Sequence, residues 1–231
     1  MHFASTYRWL VYQYLFASDN FGLSKSSSSS ILDIGCDDGG FLSHFHSIQC
    51  IGIDTWSTYD SHRIPGINYV VASATSIPFA SEAFEYVIIS DVIEHIHNDT
   101  LAIESALNTL ATGGHLWLST TAAHFTIGPE CITRRAESGW GHVRRGYYPE
   151  SIIRHFDSRF NYTLVLWDEP YLRKLFVLMW IISKRSMLLS NMIATRCFKA
   201  DVHHQHISTK ACNSLHGHIY LSAFKKSTGI L

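Results

Sequence analysis

The stretch "SILDIGCDDGGFL", residues 30–42, decides the fold. An apolar run carries one acid, Asp33, and then breaks at Gly35 into a turn holding Asp37, Asp38, Gly39 and Gly40 before apolar residues resume. A buried strand that ends in a glycine-rich turn is how an open parallel sheet enters its first crossover, and ligands of such sheets bind at that rim. Gly35 and Gly39 give the backbone access to positive φ and to close approach. Asp33 sets a polar group at the strand's mouth.

Working outward, residues 50–54, 67–73, 86–90 and 115–121 are further short runs rich in β-branched and aromatic residues, each bounded by Gly, Asp, Ser or Pro. "NYTLVLWD" (161–168) and "HGHIYLSAFKK" (216–226) add two late strands. Between them lie helical stretches: "GFLSHFHS" after the first strand, and 98–114 with Asn98 or Asp99 as N-cap and Gly113 as stop. In the second of these, Leu101, Ala102, Ser105, Ala106, Leu107 and Leu110 form the sheet-facing side. A later helix opens at Pro149 and Glu150. Continuous apolar strands alternating with helices predict an α/β fold: a doubly wound, mostly parallel seven-stranded sheet with helices on both faces. Residues 170–198 form a helical insertion before the last strand.

The chain has 231 residues, 46% of them hydrophobic, enough for one sizeable core. Residues 1–30 read as an N-terminal helix and a Ser-rich connector, "SKSSSSS" at 24–30, and 31–231 as the domain proper. The aromatic, Tyr- and Arg-bearing start lacks the clean apolar core of a signal peptide. Eighteen Lys and Arg against nineteen Asp and Glu provide no field for nucleic acid. Five scattered cysteines without a C-x-x-C pair argue against a disulfide framework or zinc knuckle and for a reducing, cytoplasmic setting. The longest uncharged run of the insertion, Leu175 to Ser183, is far short of the ~20 residues of a membrane span.

The acids of the first turn discriminate between ligands. A dinucleotide site has G-x-G-x-x-G, so that a pyrophosphate can sit on exposed amides. Here Asp37 and Asp38 stand in that place and would repel a diphosphate while attracting a ligand with an ammonium and a sulfonium. Asp54, nineteen residues after Gly35, ends the second strand where a carboxylate accepts both ribose hydroxyls. Adenosine with a positively charged tail is the implied ligand.

On these residues the sequence resembles the class I S-adenosylmethionine-dependent methyltransferases, whose pattern D-x-G-C-G-x-G is matched by "DIGCDDG" except that Asp37 replaces the middle glycine. Aspartate tolerates the left-handed region better than most residues. The likeness covers residues 30–125 and adds Ile77, Pro78 and Phe79 for the family's L-P-F turn, Ser90 and Asp91 for the fourth strand's end, and "ATGGHLWLSTT" for the fifth strand. It implies a Rossmann-like fold, S-adenosyl-L-methionine as cofactor, and a cofactor cradle of Asp33, Gly35, Cys36, Asp37, Gly39, Asp54, Thr55, Ser73, Ala74 and Ser90. Ser73 stands where many members have an adenine-binding aspartate, so that contact falls to the backbone at Ala74 or Thr75. The acceptor implied is a small molecule, or a lipid-linked or glycan-pathway compound. Asp37 and Ser73 also suit an alternative, a catalytically silent scaffold or membrane-surface module of the same fold.

Other residues admit two readings each. Trp56 either covers the adenine face or lids the core. Glu94, His95 and His97 either include a general base or begin the next helix. In "GWGHVRRGYYPES" (139–151), similar to a segment bordering the acceptor pocket in some family members, Arg144, Arg145 and Tyr147 are candidate substrate ligands with Asp91, since paired arginines suit phosphate or carboxylate; the other reading is a solvated loop. His142 and His95 are the candidate bases. The histidines at 203–206, 216 and 218 lack a carboxylate or cysteine at ligand spacing and read as a polar loop, so no metal is assigned. Residues 170–198, apolar with flanking Arg173, Lys174, Lys184, Arg185, Arg196 and Lys199, either roof the substrate site or lie on an anionic membrane surface.

Overall fold

The computed structural model describes residues 3–17, 29–45, 49–55, 64–183, 186–207 and 215–227. Seven strands, β1 (Ser30–Ile34), β2 (Gln49–Asp54), β3 (Ile67–Val71), β4 (Phe84–Ser90), β5 (Leu110–Thr121), β6 (Phe160–Trp167) and β7 (His218–Lys225), form one sheet in the order β3-β2-β1-β4-β5-β7-β6. The first five run parallel, and β7 inserts antiparallel between β5 and β6. This is the α/β, mostly parallel architecture predicted.

Side chains alternate across the sheet, so each face takes its own apolar layer. On one face Leu32, Val87, Ile89, Leu116, Leu118 and Leu221 pack beneath α2 (Asp99–Thr109) and α4 (Pro149–Ile153). On the other, Ile31, Ile88, Trp117 and Tyr220 meet Tyr7, Val11, Tyr12 and Phe16 of α1 (Phe3–Phe16). Over α1 lie α5 (Pro170–Ser183) and α6 (Met187–Ile207), which contribute Leu172, Met179, Ala194 and Cys197 to the same layer. α3 (Glu130–Trp140) lies between β5 and α4 in the chain. No helix among the described residues is long and apolar enough to cross a membrane.

Three local expectations change. After β1 the described chain forms only a 3-10 turn, Leu42–His44, because the Asp-Gly-Gly loop closes on itself through Ser43 N–H to Gly39 C=O and Asp38 holds the Gly40 N–H. α2 starts as expected, with the Asn98 side chain accepting from Leu101 N–H, but ends at Thr109; Leu110 is already extended, and Gly113 lies inside β5. Its buried side is Ala102, Ile103, Ala106 and Thr109, whereas Leu101 is exposed. Residues 203–206 are the last turns of α6, not a loop. Trp56 lies outside the described residues.

Register aligns the functional rim. Asp33 of β1 stands opposite Gly52 of β2 and Ile88 of β4, and Thr121 at the end of β5 pairs with His218 at the start of β7. Because β7 is antiparallel, its first residue arrives at the edge where the parallel strands finish.

Candidate functional site

Two connected chambers open at that rim. One, about 360 Å³, lies beyond β2 and β3 and is floored by Ile53, Asp54 and Thr55, with Ala72, Ser73 and Ala74 opposite. The other, about 390 Å³, lies beyond β1, β4, β5 and β7 under α1 and α5. Gly35, Asp37, Asp91, His95 and Trp140 line both, so the two are parts of a single cleft. Volumes of a few hundred Å³ suit a small ligand in each.

The turn after β1 is held by its own backbone. Gly35 and Cys36 N–H both donate to Ile53 C=O, and Asp37 N–H donates to Asp54 Oδ2 at 3.1 Å. Gly35 has φ +76°, and a Cβ there would strike Val92 Cγ2 at 2.4 Å. Asp37 takes φ +47°, so the aspartate does accept the left-handed conformation. Asp33 is 3% exposed; burial, then Asp54 and Asp37, push its carboxyl well above the ordinary range. Of the two turn acids only Asp37 faces the cleft, since Asp38 accepts from Gly40 N–H. Gly39 lines neither chamber: a Cβ on it would meet Tyr69 Oη at 2.2 Å, and that hydroxyl donates to Asp38 C=O. Cys36 reaches the central chamber, its thiol pushed up by burial first and by Asp33 next.

Asp54 accepts one backbone N–H on each oxygen, from Asp37 and from Thr55. A carboxylate has about four lone-pair directions, so about two stay available and are oriented in advance. Ser73 Oγ shares a hydrogen bond with Thr75 Oγ1 at 2.8 Å.

The central chamber rests on a buried charge network. Arg8 of α1 donates from Nε to Asp91 Oδ2 at 2.7 Å and from Nη1 to Glu169 Oε2 at 2.9 Å and Tyr220 Oη at 3.0 Å. Its Nη2 donates to His218 Nε2 at 2.6 Å, and His218 Nδ1 lies 2.7 Å from Glu169 Oε1, which fits the tautomer protonated at Nδ1. Burial alone would raise the Asp91 carboxyl, but the charge and hydrogen bond of Arg8 and the Ser119 hydroxyl outweigh it and hold it well below the usual range. Ser90 Oγ shares a hydrogen bond with Ser119 Oγ.

Opposite this network, Glu94, His95 and His142 face the same space. The His95 and His142 rings meet edge to face at 4.7 Å. Val143 N–H donates to Glu94 C=O, which ties the segment after α3 to the 3-10 turn Ile93–His95. Glu94 is 1% exposed, accepts from Thr120 Oγ1 at 2.9 Å, and is pushed up to about 8 by burial and then Asp91. His142 is pushed down to about 4 by burial and then His95, so its imidazole is neutral near pH 7. Phe41, Phe125, Trp140 and Phe176 supply aromatic walls, with Trp140 and Phe176 in edge contact at 5.2 Å. Phe176 comes from α5, which makes the insertion part of the chamber's wall.

Arg144, Arg145 and Tyr147 do not reach the cleft. Arg144 is spent on Asp99, Tyr147 Oη and the carbonyls of Ile96 and His97. Arg145 pairs with Glu130 at 2.6 Å and Glu137 at 3.3 Å of α3. Tyr147 is 5% exposed and donates to Ile93 C=O. These residues staple the loop that delivers His142. Sequence reasoning missed Arg8, Phe125, Phe176 and His218. Arg8 left a signal: it is the sole charge in a fourteen-residue helix of otherwise uncharged residues, and a buried lone charge needs partners.

With the geometry in place, the comparisons are informative. The sequence pattern of a family described as a methyltransferase domain matches residues 11–176. No curated protein matches the chain at a significant level. Among solved structures, the plantazolicin methyltransferase BamL, in complex with a triazolic desmethylPZN analog and SAH, aligns with TM-score 0.62 at 16% identity over 96% of this chain and 86% of its own. Phosphoethanolamine N-methyltransferase 2 of Haemonchus contortus, in complex with S-adenosyl-L-methionine, aligns with TM-score 0.58 at 15% identity over 95% of this chain and 57% of its own. The MccD protein aligns with TM-score 0.56 at 16% identity over 93% and 96%. At these identities the likeness is one of fold.

Proposed function

The chain belongs to the methyltransferase-domain family, and from that premise we propose that it is an S-adenosylmethionine-dependent methyltransferase whose acceptor carries a hydroxyl on a sugar-like or lipid-linked body. The observation that carries this reading is the single cleft in which Asp54 stands at one end, Glu94 and His142 at the other, and Gly35, Asp37 and His95 at the waist between them. The residues present fit the cofactor. Asp54 keeps two acceptor directions for ribose hydroxyls, small side chains at Ala72, Ser73 and Ala74 leave a flat slot for adenine, and Cβ-less Gly35 lets the chain pass at the waist. Asp37 supplies an anion beside the place for the positively charged methionine end.

The cofactor brings an activated methyl group when bound, so the protein's task is to hold the acceptor in line with it. The acceptor oxygen's lone pair forms the new bond to the methyl carbon while the carbon–sulfur bond breaks onto sulfur, and the hydroxyl proton must leave. Holding that hydroxyl and relieving it of its proton fall to Glu94, His95 and His142. Arg8, the cation lining the central chamber, is occupied by Asp91 and Glu169, so the chamber suits a neutral acceptor better than a phosphate or carboxylate. Titration with S-adenosylmethionine in a calorimeter tests the reading: saturable one-to-one binding that Asp54→Ala abolishes is expected, and absence of heat from the wild-type protein overturns it.

A lipid-linked acceptor has support in the outer face of α5 and α6. Leu175, Leu178, Leu188, Leu189 and Met192 are exposed there, near exposed Lys174, Arg196 and Lys199. Apolar side chains with a basic fringe suit peripheral contact with an anionic bilayer on the cytoplasmic side. Cosedimentation with phosphatidylserine vesicles, reduced by Leu178→Glu together with Leu188→Glu, is the expected result; equal pelleting of wild type and variant removes the lipid contact.

A further inference from the structure

We propose that Glu94, His95 and His142 form a divalent-cation site on the wall of the central chamber, with the acceptor's hydroxyl as a further ligand. The inference rests on the methyltransferase reading for its purpose but on side-chain geometry for its existence. One ligand atom from each of the three residues lies within 4.8 Å of the others. Ligands of one ion with bonds of about 2.0–2.2 Å sit roughly an ångström closer together than that, a closure that side-chain rotation at the two histidines supplies.

Four observations converge on it. First, the residues come from two segments far apart in sequence, and a backbone bond joins those segments, Val143 N–H to Glu94 C=O at 3.0 Å, while His142 N–H is held on the end of α3 by Glu137 C=O at 3.0 Å. Second, His142 Nδ1 is buried and has no hydrogen-bond partner among the described residues. An orphaned buried nitrogen is costly, and a metal ion is one of the few occupants that satisfies it. Third, Glu94 is a buried carboxylate whose Oε2 accepts from Thr120 Oγ1 while no Lys or Arg lies within ion-pair distance among the described residues. A hydroxyl that orients one oxygen of a ligating carboxylate is the usual outer-shell arrangement around a metal. Fourth, all three residues line the chamber, in the same cleft as Gly35 and Asp37 at the waist.

The donor set selects the ion. Two imidazoles and one carboxylate favour zinc, iron(II), cobalt(II) or manganese(II) over magnesium or calcium, and three protein ligands leave positions for an exogenous one. An alcohol oxygen held there as a ligand would have its pKa lowered and would pass its proton to solvent water in the open cleft, since the three protein groups would then be engaged by the ion and not free to accept it. It also gives the chamber a criterion for its acceptor: an oxygen nucleophile that can ligate, with a vicinal diol gripping by both oxygens.

The purified full chain, stripped with chelator, would be titrated with cobalt(II) and followed by its visible ligand-field bands, with manganese(II) and zinc(II) competing. One equivalent bound through imidazole nitrogen is expected, with the bands lost in His142→Ala. Thr120→Val, which leaves all three ligands in place, should weaken the ion about 10–100-fold. Absence of stoichiometric binding, or binding undiminished in His142→Ala, overturns the site. S-adenosylmethionine calorimetry on the same stripped samples separates the two proposals: cobalt bound without cofactor heat sinks the methyltransferase reading and leaves the cation site standing.

Discussion

The two chambers are built in different ways. The one beyond β2 and β3 is assembled from strand ends and the turns that follow them, and its lining at 53–55 and 72–74 consists of short consecutive runs. The central one draws Arg8 from α1, Glu94 and His95 from the turn after β4, Trp140 and His142 from around α3, Phe176 from α5 and His218 from β7. Local chemistry makes the first; long-range packing makes the second. A site of the first kind survives any change that spares the sheet, whereas one of the second kind depends on charges and rings contributed by elements that must be docked.

The sharpest way to break the comparison is Arg8. Replacing it with Met keeps much of the volume and leaves buried Glu169 and half-buried Asp91 without their cation, a loss of about 3–5 kcal/mol in unfolding free energy. Chemical denaturation would read it. A change below about 1 kcal/mol would mean that α1 is an accessory and not part of the chamber's frame.

Next in size is Asp54→Ala, which removes the ribose acceptor proposed above. Two hydrogen bonds to a charged group, each about 1.5–3 kcal/mol, put the loss of S-adenosylmethionine affinity at about 100-fold or more. The calorimeter measures it, while the unfolding midpoint should move little because Asp54 lies at the rim. If stability falls as much as affinity, the edge chamber is less independent of the fold than its construction suggests.

These two residues also mark what the sequence made legible. Asp54 could be placed because a strand, a glycine turn and an acid at fixed spacing are all local signals, and the sheet positions them without help from distant chain. The same holds for Gly35, Asp37 and the existence of the five parallel strands. Arg144 and Arg145 misled for the opposite reason: their partners, Asp99 and Glu130, lie 45 and 15 residues away, and no local pattern announces that an arginine is already taken. Gly39 looked like a ligand contact and is a packing contact with Tyr69 on the neighbouring segment. The first crossover failed as a helix because side chain and backbone of the Asp-Gly-Gly loop satisfy each other there. Arg8 and Phe176 were invisible since their function exists only once α1 and α5 have docked.

A third test concerns the charges that the docked layer buries. Asp201 of α6 accepts from Tyr7 Oη of α1 at 2.7 Å and from Tyr171 N–H at the start of α5 at 2.9 Å. Burial, with Glu169 adding to it, pushes its carboxyl from the ordinary range up to about 7 despite those donors. Between that value and the carboxyl's ordinary one the native protein holds a proton that the unfolded chain has released, so this group's contribution to stability falls as pH rises and is lowest above about 7. Asp201→Asn should remove about 1–3 kcal/mol of that decline, read as the difference between the two proteins' stability curves from pH 4 to pH 8. Parallel curves would mean that the carboxylate is ionised throughout and that those donors, not burial, control it.

The smallest effect expected is the most diagnostic of the division into chambers. Phe176 stacks edge-on against Trp140 and is the side chain that makes α5 a wall of the central chamber. Truncation to Ala removes a half-buried ring and one aromatic contact, worth about 0.5–1.5 kcal/mol beyond the area it covers, so the protein should fold with a slightly lowered midpoint. Phe176 does not itself line the chamber beyond β2 and β3, and cofactor affinity should therefore stay within about twofold of wild type, an energy of ~0.4 kcal/mol at most. Trp140 is a path by which the change could travel, since it lines both chambers and would lose its neighbour. A fall in S-adenosylmethionine affinity with Phe176→Ala that Trp140→Ala reproduces without further loss in the double variant would show that the indole couples the chambers, and that the local half of the cleft is finished only when the distant half has closed on it.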